Sequence, residues 1–158
     1  MIKYVKGDAT EPQGINNIVI HVVNDIGRFG SGFAKAVMDK YPIVRERYIE
    51  WAGGKYGDSK LFALGEVQLV NANDNLMFCN MVAQHGTISK ANPIPIKYDA
   101  LRSCLKTVAI VAKTSGVSWN ICGPRFGSGL AGGNWNEIEK IINEELTDNG
   151  IDITIYDL

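Results

Sequence analysis

The segment HVVNDIGRFGSGFAKAV, residues 21–37, changes its rhythm halfway. Leading into it, Ile18, Val19, Ile20, Val22 and Val23 form a nearly unbroken apolar run. That pattern marks a strand over 17–24 with both faces buried. Past the middle, Phe33, Ala36, Val37 and Tyr41 recur at three- and four-residue intervals up to Pro42, which is the spacing of a helix. Between the two lie Asn24, Asp25 and the glycines Gly27, Gly30 and Gly32. A strand covered on both faces needs helices above and below it, so this unit predicts a layered α/β fold.

The same alternation continues in both directions. Residues 2–6 read as a strand, Val44, Tyr48, Ile49 and Trp51 as a second helix ending at Gly53-Gly54, and 61–70 and 76–83 as strands. A loop over 86–96, marked by Gly86, Asn92, Pro93 and Pro95, feeds a helix near 97–115 closed by Gly116. A strand at 117–122, a helix at 134–149 capped by Asn134, and a strand at 151–156 complete the chain. No repeat, linker or low-complexity tract interrupts them. The expectation is one domain over 1–158, α/β, with a mostly parallel central sheet between helices.

Composition narrows the function. With 158 residues the chain buries a core without disulfide staples, and 16 basic against 17 acidic residues leave a net charge of -1. A pI near 6.1 speaks against a direct grip on nucleic acid, and no apolar run is long enough for a membrane span. Cys79, Cys104 and Cys122 are scattered, as in a protein kept reduced, so a cytoplasmic location is expected. Two histidines and no closely spaced ligand pair give no basis for a metal, and no cofactor is implied. Ser31 and Ser128 sit in Gly-Ser-Gly without a base or acid partner in view, so neither reads as a nucleophile.

Ligands of α/β folds settle outside the carboxyl ends of the strands, where glycine-rich turns present backbone amides. Residues 24–32 form one such turn, and GPRFGSGLAGGNW, residues 123–135, forms a second. Neither is a P-loop, since no Gly-Lys-Ser/Thr follows. Two such turns on parallel strands can embrace a pyrophosphate from both sides. Asp8 follows the first strand, where a carboxylate can serve as a turn cap or accept from an adenine amino group. His85 lies just past a buried strand, placed to orient a ligand or a water, whereas His21 lies inside a strand and reads as a satisfied core residue.

Together the opening strand with GDAT, HVVNDIGRFGSGFAKAV, NMVAQHG at 80–86, GPRFGSGLAGGNW and the closing ITIYDL resemble the macro domain family, in family order and over essentially the whole chain. The resembling branch holds a remodeller-type macro domain, terminal ADP-ribose glycohydrolases and a yeast ADP-ribose 1″-phosphate phosphatase. The resemblance implies a mixed central sheet flanked by helices, with ADP-ribose in a cleft across the strand ends. It implies ligand-binding roles for Asp8 and Ala9 near adenine, Asn24 near the distal ribose, and Gly30, Ser31 and Gly32 in the first phosphate-facing turn. Phe126, Gly127, Ser128, Gly129 and Leu130 would form the second turn, with Leu158 flanking adenine.

The glycohydrolases of that branch use a lysine in the segment matching NMVAQHG and an aspartate after the second turn. This chain has Gln84 and His85 in the first place and Ala131 in the second. A catalytic set of Asp25, His85 and Asn24 is expected instead. The expected function is hydrolysis that removes ADP-ribose from acidic side chains or cleaves O-acyl-ADP-ribose. The alternatives are a non-catalytic ADP-ribose reader and an ADP-ribose 1″-phosphate phosphatase. The expected partner is ADP-ribose or an ADP-ribosylated protein, with the chain itself a monomer.

Overall fold

A computed structural model describes residues 1–57 and 60–158. Its strands are β1 (Ile2–Lys6), β2 (Asn17–Asn24), β3 (Val67–Asn73), β4 (Leu76–Gln84), β5 (Asn120–Gly123) and β6 (Ile153–Asp157). Its α-helices are α1 (Phe33–Lys40), α2 (Pro42–Ala52), α3 (Tyr98–Thr114) and α4 (Trp135–Glu145). The strands make one sheet in the order β1-β6-β5-β2-β4-β3, parallel throughout except for β3, which runs antiparallel to β4 at one edge. This is the mostly parallel sheet between helices that the periodicity predicts, and its one antiparallel edge gives the mixed character that the resemblance implies.

β2 is central because both of its faces are apolar. Ile18 and Ile20 pack with Leu101 and Leu105 of α3 and Ile138 and Ile142 of α4, while Val19 and Val23 pack with Val37 of α1 and Val44, Tyr48 and Trp51 of α2. Each such fully buried side chain contributes roughly 1.5–3 kcal/mol through the hydrophobic effect. Asn134 caps α4 as its side-chain oxygen accepts from Asn136 N at 2.9 Å.

Three elements differ most from the sequence expectation, the others agreeing to within two residues at each end. The strand read over 61–70 begins only at Val67, because Gly65 takes φ +95° and Glu66 N–H turns back to Ala63 O at 3.1 Å. The apolar character of that segment reflects packing: the Phe62 ring meets Trp51 edge-on at 5.0 Å and Tyr48 at 5.8 Å. The strand read over 117–122 is Asn120–Gly123, since Trp119 is held back by its Nε1–H donating to Ser115 Oγ at 2.9 Å. The helix read to 149 stops at Glu145 and tightens into a 3₁₀ turn over Thr147–Asn149. There Gly150, at φ +78°, lets Ile151 N–H reach back to Leu146 O at 3.0 Å. Among the described residues no helix is long and apolar enough to cross a membrane.

Candidate functional site

The carboxyl ends of β2, β4 and β5 open into one cleft of about 660 Å³. Residues 28–34 form one wall, residues 124–131 the other, and Gln84, Thr87 and Ile88 close the third side. Of the ligand-binding residues expected from the sequence, Asn24, Gly30, Ser31, Gly32, Phe126, Gly127, Gly129 and Leu130 line it. Ser128 belongs to the same turn but directs its hydroxyl inward, donating to Arg125 O at 2.8 Å. Asp8, Ala9, Asp25, His85 and Leu158 do not line the cleft.

Both walls are built to present amides. Among the described residues, the main-chain N–H groups of Gly30, Ser31 and Gly32 on one side, and of Ser128, Gly129 and Leu130 on the other, meet no protein acceptor. Gly32 ends the first turn at φ +59° and leads into α1, so the helix N-terminus adds its positive end to the same wall. Such an arrangement attracts an anion without a strongly basic chain. Gly127 has a different task. At φ +80° it passes so close to the core that a Cβ would lie 2.4 Å from Ile96 Cδ1 and 3.1 Å from Ile138 Cδ1. Leu130 reaches across to the first turn, where a Cβ on Gly32 would meet its Cδ1 at 3.1 Å.

Asn24 holds the first turn in shape. Its Nδ2 donates to Arg28 O at 2.6 Å, and its Oδ1 accepts from Ile26 N and Arg28 N, each at 3.1 Å. Tyr48 adds a buried hydroxyl that donates toward Asn24 O (2.6 Å) and Asn24 Oδ1 (2.8 Å). Sequence periodicity marks Tyr48 only as an apolar helix position, and nothing local reveals where its hydroxyl points.

Asp25 and His85, 60 residues apart, meet beside the cleft. Asp25 Oδ2 pairs with His85 Nδ1 at 2.7 Å, and Oδ1 accepts from Gly86 N at 2.8 Å. Partial burial works to raise the Asp25 carboxyl, but the hydrogen bonds from Gly86 and His85 outweigh it, and its pKa lies below the usual value. His85 stands between Gln84 and Thr87, which both line the cleft. Its side chain is 63% exposed, against 17% for Asp25.

Asp8 sits at the end of β1. Its Oδ2 accepts from Lys40 Nζ at 2.8 Å, and its Oδ1 accepts from Thr10 Oγ1 at 2.7 Å and Thr10 N at 2.9 Å. Lys40 first, and Thr10 second, hold its carboxyl down at about 2, so it is a carboxylate at any working pH. Ala9 is buried under the α1–α2 side of the sheet, and Leu158 is 98% exposed at the chain end.

Two further cleft residues stand out in the structure alone. Arg28 lines the first wall, and Arg125 the second. The Arg125 guanidinium lies 4.8 Å from the Tyr4 ring and 5.2 Å from the Trp135 ring, with Asp157 accepting at 2.7 and 3.2 Å. The place of Arg125 between strand and glycine turn, in GPRFG, is the only sequence signal for it. His21 is buried and hydrogen bonded as expected, yet it also touches the cleft floor. The three cysteines are buried and unpaired, and burial pushes the Cys104 and Cys122 thiols up to about 12, which leaves no ready thiolate. Among the described residues no cluster of three or more His, Cys, Asp or Glu is placed to hold a metal ion.

No family model matches the chain. Among solved structures, a Bacteroides thetaiotaomicron protein of unknown function superimposes with a TM-score of 0.89 at 41% identity, covering 100% of this chain and 98% of that one. A macrodomain protein from Streptomyces coelicolor superimposes with a TM-score of 0.84 at 36% identity, covering 100% of this chain and 99% of that one. Chromodomain-helicase-DNA-binding protein 1-like of Mus musculus is 31% identical over 98% of this chain, which spans only 17% of that protein's length. ADP-ribose 1″-phosphate phosphatase of Saccharomyces cerevisiae is 27% identical over 99% of this chain and 98% of its own. The topology, the paired glycine turns at the strand ends and a 36% identity over nearly the whole of a macrodomain protein lead to one conclusion: the chain belongs to the macrodomain family.

Proposed function

We propose that residues 1–158 form one macrodomain that binds ADP-ribose in the cleft and hydrolyses its bond to an acidic side chain or to an O-acyl group. The observation that carries the binding is the pair of amide-lined turns facing each other across the cleft, a cradle for the diphosphate. In this reading Gly30, Ser31 and Gly32 hold one phosphate, and Ser128, Gly129 and Leu130 hold the other. Phe126 and Leu130 supply apolar contact to the sugar. Asp8 accepts from the adenine amino group, beside Ala9 and Leu158. Asn24 acts by setting the shape of the first turn near the distal ribose.

The Asp25–His85 pair supports hydrolysis. Asp25 takes the Nδ1 proton of His85 in a hydrogen bond and fixes the ring, which leaves Nε2 as a base for a water molecule next to Gln84 and Thr87. Gly86 N–H anchors the far carboxylate oxygen, so the dyad is held at both ends. Water attacks the carbon of the ester linkage while His85 Nε2 accepts its proton, the bond to the leaving oxygen breaks, and the proton passes to that oxygen. The expected partner is therefore free ADP-ribose or a protein carrying it. The protein acts as a monomer, and its three buried thiols suit a reducing compartment such as the cytoplasm.

One observation favours binding without turnover: Ala131, which is 4% exposed, lines the cleft where the resembling hydrolases carry an aspartate. Incubation with a glutamate-ADP-ribosylated protein separates the readings. Release of ADP-ribose that falls at least tenfold in Asp25→Asn and His85→Ala, with binding retained, is expected. Binding by calorimetry with no release at high protein concentration overturns the hydrolase and leaves the reader. Release of inorganic phosphate from ADP-ribose 1″-phosphate would instead assign the reaction named for the yeast relative.

A further inference from the structure

Sheet register places three polar side chains in one rung across the α1–α2 face. In β2 and β4 His21 is the register partner of Asn80, and in β4 and β3 Asn80 is the register partner of Gln68. All three are buried, at 2%, 0% and 3% exposure. The rung ends on a main-chain carbonyl of α2, and that end fixes its direction. A carbonyl only accepts, so Gln68 Nε2 donates to Arg47 O at 2.9 Å. Gln68 Oε1 then accepts from Asn80 Nδ2 at 3.0 Å, and Asn80 Oδ1 is left to accept from His21 Nε2 at 2.6 Å. His21 therefore carries its proton on Nε2, and Nδ1 carries a bare lone pair.

Nδ1 has no protein partner, yet no sealed side-chain nitrogen or oxygen among the described residues lacks one. It follows that Nδ1 opens on the cleft that His21 lines. The ring is gripped edge-on by Phe29, Phe33 and Phe78 at 5.8, 5.5 and 6.3 Å, so it cannot swing away. Burial, only partly offset by the Asn80 bond, pulls its pKa down to about 4 and keeps it neutral.

We propose that His21 is a ligand-reading residue whose Nδ1 accepts a hydrogen bond from a sugar hydroxyl, directly or through one water, and rejects a phosphate oxygen at that point. A hydroxyl brings a proton to the lone pair. An oxygen of the linked diphosphate, which is fully ionised at neutral pH, brings only lone pairs of its own, and the two repel. The floor beneath the first turn thus sorts the sugar of the ligand from its phosphates, which the amides above receive. The orientation of this acceptor is set at the β3 edge of the same face, by Arg47 O through Gln68 and Asn80. Gln68 is accordingly a positioning residue. The choice of test ligand rests on the ADP-ribose reading.

Long-range ¹H–¹⁵N spectra of the ¹⁵N-labelled protein at pH 7 test this. The free protein is expected to show His21 with a protonated Nε2 and an unprotonated Nδ1. ADP-ribose is expected to shift the Nδ1 resonance upfield, and P¹,P²-dimethyl pyrophosphate, a diester fully ionised at pH 7 and without a hydroxyl, is expected to leave it in place. His21→Gln keeps a donor for Asn80 but places no acceptor at the position of Nδ1, because its only acceptor is the oxygen next to that donor, and is expected to weaken ADP-ribose roughly tenfold, the size of one lost hydrogen bond. Gln68→Met, which removes the carbonyl anchor, is expected to mix the two tautomers in the spectrum. A proton on Nδ1 in the free protein, or an Nδ1 resonance unmoved at saturating ADP-ribose, overturns the proposal. If calorimetry finds no ADP-ribose binding to the unaltered chain, the proposed function falls and the hydroxyl-reading role with it, and the free-protein tautomer still decides the relay. Should His21→Gln fail to fold, the spectra of the unaltered protein decide alone.

Discussion

Replacing Gly129 with glutamate separates the cleft from the fold more cleanly than any other change in the second turn. A Cβ at 129 meets nothing within 4 Å, and the residue is outside the left-handed region, so a side chain is accommodated without strain. The thermal midpoint should stay within the range of an ordinary surface substitution, about 0.5 kcal/mol. Binding should not survive. The new carboxylate would lie on the order of 5 Å from a phosphate held by the neighbouring amides, and two unit charges at that distance repel by about 3 kcal/mol at an effective dielectric of ~20. That corresponds to a loss of roughly a hundredfold or more in affinity. Titration calorimetry with ADP-ribose, with thermal melts of the same samples, reads both quantities, and Gly129→Ala serves as the control that keeps both. Affinity of Gly129→Glu within threefold of the unaltered protein would show that no phosphate passes this turn. A collapsed melting curve would show that the open space at 129 is misjudged.

Gly127→Ala should behave in the opposite way. With φ at +80° and a Cβ only 2.4 Å from Ile96 Cδ1, it should cost about 2–4 kcal/mol in equilibrium urea unfolding, and an unchanged midpoint would refute the packing described for the turn. Tyr48→Phe removes the hydroxyl that holds Asn24 and should cost about 1–2 kcal/mol of stability and weaken ADP-ribose several-fold, as read by urea unfolding and calorimetry. Acid should destabilise the fold through His21, whose burial holds its pKa at about 4, against about 6.5 for a free histidine. Because the unfolded chain binds the proton first, this stability is complete above pH 6.5 and is lost as pH falls towards 4, by about 2 kcal/mol at pH 5. Among the described residues its ring and hydrogen-bond partners are Phe29, Phe33, Phe78 and Asn80, none of them charged. Urea unfolding at pH 7 and pH 5 in a His85→Ala background should show this loss, and His21→Gln in the same background should abolish it.

Much of the architecture is legible along the chain because its signals are local. An apolar run such as Ile18–Val23, a helical stripe such as Ile138, Ile141 and Ile142, and glycines clustered after a strand each announce themselves within a dozen residues. The segment Leu61–Leu64 misleads for the same reason. Its apolar composition suits a strand, and only the contact of Phe62 with Tyr48 and Trp51 shows that it serves as packing for a turn.

By itself, the sequence determined the α/β alternation, the two glycine-rich turns and their place at strand ends, since periodicity and backbone freedom are properties of short segments. Asp25 and His85 were each visible as candidates beyond a strand, but their bond depends on β2 lying next to β4. Tertiary structure alone decided the grip of Tyr48 on Asn24, the aromatic seat of Arg125, and the rung from Arg47 O to His21. Those features depend on strand order and register, and a one-residue slip between β2 and β4 would send His21 and Asn80 to opposite faces of the sheet.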